Sequence, residues 1–322
     1  MVKFQRSAVK SAARNTLDRS RDQARKLILI HTGAALVLTL LLSLIDYLLE
    51  QQIGATGGLS GISLRSTLTT VQSVLRYGMF LAVPAWNCGY LFAMLRLSRG
   101  EQVSPRTLLS GFGKFGAILR LTLLKAALYV GIGLLCINIA STIFMATPWA
   151  QPLIEALEPA VESGEITPEQ LLAATEAVAL PMILIFSGIF LAACIPVYYM
   201  LWAADFSIMD QEGNRALAAL LGSFRLTRRN RKALLKLDLS YWWFFLLDLL
   251  VSLLCYGDLI LTLLGIAPPW TGYVGYFLFL AFYAVAQLLL YSWKKNQIFL
   301  TYAHTYNALK EPTDLPTFPW NN

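Results

Sequence analysis

Apolar residues in this chain come in long, nearly unbroken runs separated by polar stretches. Six runs, about 27–49, 70–95, 117–145, 178–203, 238–263 and 271–293, have the length of a membrane helix. A helix needs about 20 apolar residues to cross a hydrocarbon core roughly 30 Å thick. Inside lipid a helix satisfies its N–H and C=O groups within its own segment, and the alternative, a β-barrel, would show short alternating strands. None of the runs alternates. The pattern predicts an all-α polytopic membrane protein: a basic amphipathic cytoplasmic segment over 1–26, a six-helix transmembrane domain over 27–303 and a cytoplasmic tail over 304–322.

Composition excludes an ordinary soluble enzyme. The 322 residues are 57% hydrophobic and 14% charged, with a mean hydropathy of +0.57; globular domains run at about 45–50% apolar and about 25% charged. Charge adds orientation. Of the 26 Lys and Arg, 22 lie in residues 1–26, 96–114, 204–236 and from 294 onward, all on one side of the predicted membrane. The opposite loops, 50–69, 146–177 and 264–270, hold only Arg65. The positive-inside rule then places both termini in the cytoplasm.

The second outer loop carries six glutamates (Glu155, Glu158, Glu162, Glu165, Glu169, Glu176) and no Lys or Arg. It reads as a solvated acidic loop, with a cation- or partner-binding surface as the alternative. Within it, Thr167-Pro168-Glu169-Gln170 is a helix start, with Thr as cap and Pro at the first helical position. The N-terminus does not resemble a cleavable signal, because its charged region and the following span are both too long. Val2, Val9, Ala12, Ala13 and Leu17 among basic residues suit a helix on an anionic leaflet. Lipid, and not nucleic acid, is the expected partner of this arm.

The chain also reads as three units, each a basic lead-in followed by a helical hairpin. Leu108-Leu109-Ser110-Gly111-Phe112 and Leu220-Leu221-Gly222-Ser223-Phe224 open two of the lead-ins alike. A hairpin repeat of this kind would suit a pseudo-symmetric bundle, with chance likeness among Leu-rich segments as the alternative.

Little soluble-enzyme chemistry is available. Two histidines, His31 and His304, leave almost no material for a triad or a His-based metal site. Gly111-Phe112-Gly113-Lys114-Phe115-Gly116 matches G-x-G-x-x-G. It follows no strand and has no acidic residue about 20 positions on, so it reads as an interfacial loop that lets helices approach. Cys88, Cys136, Cys194 and Cys255 sit singly inside apolar runs and read as small buried hydrophobes. No cofactor and no metal is expected.

Ionisable residues inside the spans are the informative exceptions, since each costs about 2.5–3.5 kcal/mol to insert unless it pairs or meets water. They are His31, Asp46, Arg76, Arg120, Lys125, Asp248 and Asp258. Asp46 and Arg76 fall near the outer ends of an antiparallel hairpin and suit a structural ion pair. Lys125 and Asp248 fall at ~12 and ~16 Å of depth by helical rise, either as a structural pair or as a polar site for an ion, proton or small solute. Asn87 beside Pro84, Asn138, Pro196 and Gln287 could extend that site. Asp258 lies nearer the outer surface, and His31 and Arg120 are expected to reach the cytoplasmic interface.

In 213–236, Leu217, Leu220, Leu221 and Phe224 share one helical face, followed by Arg225, Arg228, Arg229, Arg231 and Lys232. That is the pattern of a helix lying on the anionic leaflet. Trp242 and Trp243 suit the interfacial aromatic belt.

The stretch from Tyr198 and Tyr199 through Asp210, Ala219-Leu220, Ser223, Arg228 to Lys232 and Leu237-Asp238-Leu239-Ser240-Tyr241 resembles an uncharacterised bacterial family of integral membrane proteins with a domain of unknown function. Tyr302-Ala303-His304-Thr305-Tyr306 is similar to that family's aromatic end. Arg229 stands near where a Gly is usual, and Phe244 where a Trp is usual. The resemblance implies six spans and a place in the bacterial cell membrane; it carries no established activity.

Two functions remain. One is a non-enzymatic scaffold or a lipid- or partner-interacting membrane factor, in contact with anionic lipids and other membrane proteins. The other is a secondary transporter or channel component using Lys125 and Asp248.

Overall fold

The computed structural model describes residues 5–55, 59–151, 153–155, 168–211, 215–254 and 273–310. Side chains are described for all of these except 46–55, 59–65, 168–177, 254, 273–277 and 279. Every regular element among the described residues is helical. In chain order they are α1 (Arg6–Arg19), α2 (Arg21–Ala55), α3 (Leu59–Ser98), a 3₁₀ turn Pro105–Leu109, α4 (Ser110–Gly113), α5 (Phe115–Met145), a 3₁₀ turn Pro148–Ala150, α6 (Pro168–Leu201), α7 (Ala204–Asp210), α8 (Ala216–Thr227), α9 (Arg231–Asp238), a 3₁₀ turn Leu239–Tyr241, α10 (Trp242–Leu254), α11 (Tyr273–Leu290), a π-helical turn Tyr291–Lys295 and α12 (Asn296–Lys310).

Four stretches, Arg21–Ile45, Ser66–Ser98, Phe115–Met145 and Val178–Asp210, are long and apolar enough to cross a membrane. In the last of these the long helix ends at Leu201, and α7 is a separate short helix. The fifth and sixth expected spans run through 255–272, outside the described residues; their described parts are α10 and α11. Pro168 opens α6, a position where its missing N–H costs nothing.

The chain divides into two bodies, Met1–Arg120 with Ala203–Asn322, and Leu121–Trp202. In the first, burial among the described side chains gathers at one end of each long helix. Along α3, Phe80 is 71% exposed while Tyr90 is 1% exposed. Likewise α2 buries Ala24, Leu27 and Ile28 but exposes Val37 and Leu41. Exposed Leu, Val and Phe along one continuous helix are what lipid, and not water, would cover. The buried ends assemble a helical core of Tyr90, Met94, Leu95, Leu108, Ile208, Leu234, Leu237 and Tyr306.

Two glycines let this core close. At Gly111 a Cβ would stand 2.8 Å from the carbonyl carbon of Ala85, and at Gly89 one would stand 2.8 Å from that of Leu108. Here the backbones of α3 and the 105–113 turn meet directly, so only glycine fits. The 111–116 motif does allow a close approach, but as the short helix α4 and the start of α5.

The N-terminal helix α1 packs on α12. Val9 and Ala13 are buried there, and Thr16 Oγ1 lies 2.9 Å from His304 Nε2. Its apolar side is thus used inside the protein and is not free to enter a leaflet as the sequence reading had it. Residues 304–310, expected as tail, are the last turns of buried α12, whose Thr301, Thr305 and Tyr306 face the core.

In α8 the inward stripe is Ala216, Ala219, Ser223 and Thr227, small residues that let the helix lie close on α7. The leucine face predicted from sequence is turned outward, with Leu217 58% and Leu221 47% exposed, while Leu220 and Phe224 are half-buried. Small residues at three-to-four spacing won the core because α7 approaches too closely for leucine. The two similar pentapeptides also differ in structure: 108–112 spans a 3₁₀ turn into α4, whereas 220–224 is interior to α8.

The second body is built on α5 and α6. Phe144, Ala150 and Val178 form its buried cluster, with Leu153, Met182 and Ile185 against it. The position of Gly133 faces the Phe190 ring at 3.7 Å.

Candidate functional site

The expected polar residues distribute unevenly. Lys125 and Asn138 are on α5 in the second body, where the Asn138 amide donates to Leu134 O of its own helix at 2.7 Å. Arg76 is on an exposed part of α3, and the Asp46 side chain and Asp258 lie outside the described residues. Arg120 is exposed. Asn87, Asp248 and Gln287 belong to the first body, each beside partners that sequence reasoning did not assign.

His31 does not reach outward: it is 4% exposed, its ring stacked on Trp86 at 5.5 Å and tilted on Tyr90 at 4.5 Å. Its Nε2 lies 3.2 Å from Asn87 Oδ1, and Trp86 Nε1 donates to its carbonyl. This joins the start of α2 to the end of α3, so the two helices run antiparallel. With Nε2–H donating to Asn87, Nδ1 is an acceptor, and it has no partner among the described residues. Tyr90 in turn donates to Asn296 Oδ1 at 2.7 Å, and Asn296 Nδ2 donates to Ala24 O at 2.9 Å.

Asp248 is paired within the first body. α10 begins only at Trp242, which puts Asp248 six residues, or about 9 Å, along that helix, shallower than a start at 238 implies. The Tyr291 hydroxyl donates to its carboxylate and accepts from Gln287 Nε2 at 3.2 Å. Lys295 feels its charge and lies against three rings, 3.7 Å from the Tyr291 centroid, 5.9 Å from Tyr90 and 5.8 Å from Phe299. Lys295 stands two residues past the sixth apolar run; burial pushes its ammonium down to about 8, while the Asp248 charge pulls the other way. A π-helical turn places both Tyr291 and Lys295. The other carboxylate oxygen, Oδ1, is buried without a partner among the described residues.

A second network, unforeseen from sequence, centres on Asp210 at the end of α7. Its side chain is 6% exposed, and it takes Arg99 Nη1 at 2.6 Å, Lys310 Nζ at 2.7 Å and the Tyr306 hydroxyl at 3.3 Å. Burial alone would raise its carboxyl, but Arg99 and Lys310 outweigh that and hold it near 2. Arg99 also donates to Asn307 Oδ1, and Lys114 Nζ caps the open end of α7 on the carbonyls of Ile208, Met209 and Gln211. Ser223 Oγ accepts the Ala203 N–H at 3.1 Å, Tyr302 donates to Asp238 at 2.8 Å, and Tyr241 lies 3.0 Å from Thr301 Oγ1 with Lys10 over its ring. Six of the residues that carried the family resemblance (Asp210, Ser223, Asp238, Tyr241, His304 and Tyr306) are thus polar joints of one helical core. With Asp205 and Glu212 close by and no Lys or Arg before Arg215, the charge pattern held no signal for Asp210.

The outward side of α8 and α9 combines Leu217, Leu221, Leu235, Leu239 and Trp242 with Arg225, Arg228, Arg229, Lys232 and Lys236, all exposed. Arg231 is half-buried, its guanidinium 5.2 Å from the Phe224 ring.

A family model, described as a protein of unknown function, DUF975, matches residues 1–297. The chain belongs to the DUF975 family. No curated protein and no solved structure matches it. The match runs from α1 to the start of α12 and so takes in both the apolar helices and most of the packed core of this chain.

Proposed function

We propose that this DUF975 protein is a six-span membrane protein of the bacterial cell membrane, with both termini cytoplasmic, and that it acts without catalysis as a lipid- and partner-contacting scaffold. The carrying observation is the outward side of α8 and α9, where exposed leucines and Trp242 adjoin five exposed basic residues at the packed end of long apolar helices. Such a surface fits an anionic leaflet: apolar groups enter the acyl boundary, and each basic residue near the surface contributes about 1 kcal/mol. The charge asymmetry of the loops supports the cytoplasmic orientation. Other membrane proteins are the further partners of this reading.

The test is amide exchange of the full-length protein in nanodiscs of phosphatidylcholine or of phosphatidylglycerol. Exchange over 216–238 should slow in the anionic discs, and a variant with Arg225, Arg228, Arg229 and Lys232 all changed to Gln should lose the difference. Equal exchange of the natural protein in both lipids would sink the reading.

A further inference from the structure

We propose that Asp248, with the Tyr291 hydroxyl and Gln287 beside it, is a binding site for a small monovalent cation, and that Lys295 is the tethered counter-charge that balances the carboxylate when no cation is bound. The site does not depend on leaflet contact by α8 and α9, and the two readings can fail separately.

Three observations carry it. First, the carboxylate is half satisfied. Tyr291 donates to it, yet Oδ1 is buried and has no partner among the described residues. A buried acceptor without a donor costs about 1–3 kcal/mol, so its retention calls for an occupant. Second, the site offers oxygen. Gln287 Nε2 touches the Tyr291 hydroxyl at 3.2 Å, and a half-turn of that amide would present its carbonyl oxygen there instead. Carboxylate, hydroxyl and amide oxygens are the ligands hard cations select. Third, the nearby ammonium is held off the carboxylate. Lys295 lies against the faces of Tyr291, Tyr90 and Phe299, which hold an ammonium by their quadrupole, so it balances Asp248 without occupying Oδ1. The π-helical turn that presents Tyr291 and Lys295 is a geometry found frequently at functional sites.

An anion fits poorly. Asp248 would repel it, and the unpartnered Asp248 Oδ1 and His31 Nδ1 are both acceptors. A divalent ion would want several carboxylates, and Asp248 is the only one in this cluster among the described residues. A monovalent cation at Asp248 conserves the local charge when the Lys295 ammonium sheds its proton, which its lowered basicity makes easier.

The experiment is thermal unfolding of the full-length protein in detergent at fixed pH and ionic strength, with LiCl, NaCl or KCl replacing choline chloride. A ligand bound only to the folded state raises Tm with concentration. The expected result is a saturable rise for at least one alkali ion. Lys295→Met removes the internal competitor and should lower the half-saturating concentration at least about tenfold, whereas Asp248→Asn should abolish the rise. If Asp248→Asn does not fold, Tyr291→Phe keeps the carboxylate and should raise the half-saturating concentration at least about threefold. A structural ion pair predicts otherwise: no alkali-ion dependence in either the natural protein or Lys295→Met. That result overturns the proposal, as does a dependence that survives Asp248→Asn or is unchanged in Tyr291→Phe.

Discussion

Gly111→Ala tests how the core closes, because the same sequence motif supplies its own controls. A Cβ at 111 would stand 2.8 Å from the carbonyl carbon of Ala85 and 3.0 Å from the nitrogen of Gly89, where carbons normally sit about 3.5–4.0 Å apart. The shortfall is about 1 Å, and the obstructing atoms are backbone, which cannot change rotamer. Overpacking against side chains costs about 1–3 kcal/mol. Against two backbones the expected cost is about 4 kcal/mol or more, beyond the roughly 1 kcal/mol that alanine gains in a helix. That corresponds to a fall of about 10 °C in Tm, read by thermal unfolding of the detergent-purified protein, or to loss of the monodisperse peak in size-exclusion chromatography. Gly89→Ala should behave the same way. Cβ atoms at Gly113 and Gly116 would meet nothing within 4 Å, so Gly113→Ala and Gly116→Ala should leave Tm within a few degrees. Gly111→Ala folding with an unchanged Tm would refute the packing argument. So would equal damage at all three positions, which would point instead to a need for a flexible loop.

Two further outcomes follow from the polar joints. Asp210→Asn strands the charges of Arg99 and Lys310; both are partly exposed, so the cost should be about 2 kcal/mol and not the 3–5 of a fully buried pair. A Tm loss of about 5 °C, with earlier tryptic opening of Asn296–Lys310, is expected, and a loss under about 1 °C would contradict it. His304 is held down to about 4 by burial, below its ordinary 6.5. Its depressed value means that the unfolded chain binds the extra proton first, so stability is lost as pH falls from 6.5 towards 4, by up to about 3 kcal/mol. Equilibrium unfolding across that window should show the slope, and His304→Gln, which can still bond Thr16, should lose the His304 share of it.

The helical character of this protein, with four stretches long and apolar enough to cross a membrane, was legible in the sequence because the length of an apolar run is a local property. It does not depend on what else the chain does. Membrane-length helices, the start of α6 at Pro168 and the close approach around Gly111 could all be read that way. The partners of the polar residues could not. Asp248 has one oxygen bonded to Tyr291 and Lys295 nearby because α10 starts at Trp242 and a π-helical turn rotates those two side chains towards it, neither of which leaves a mark in hydropathy. The leucine face of α8 was sound as a pattern, but its direction was set by how near α7 comes, and close approach selects Ala216, Ala219 and Ser223 over Leu217 and Leu221. The basic N-terminal helix is amphipathic by sequence, and only the tertiary structure assigned its apolar side to α12 in place of lipid. Sequence determines which groups must be covered; the backbone geometry decides by what.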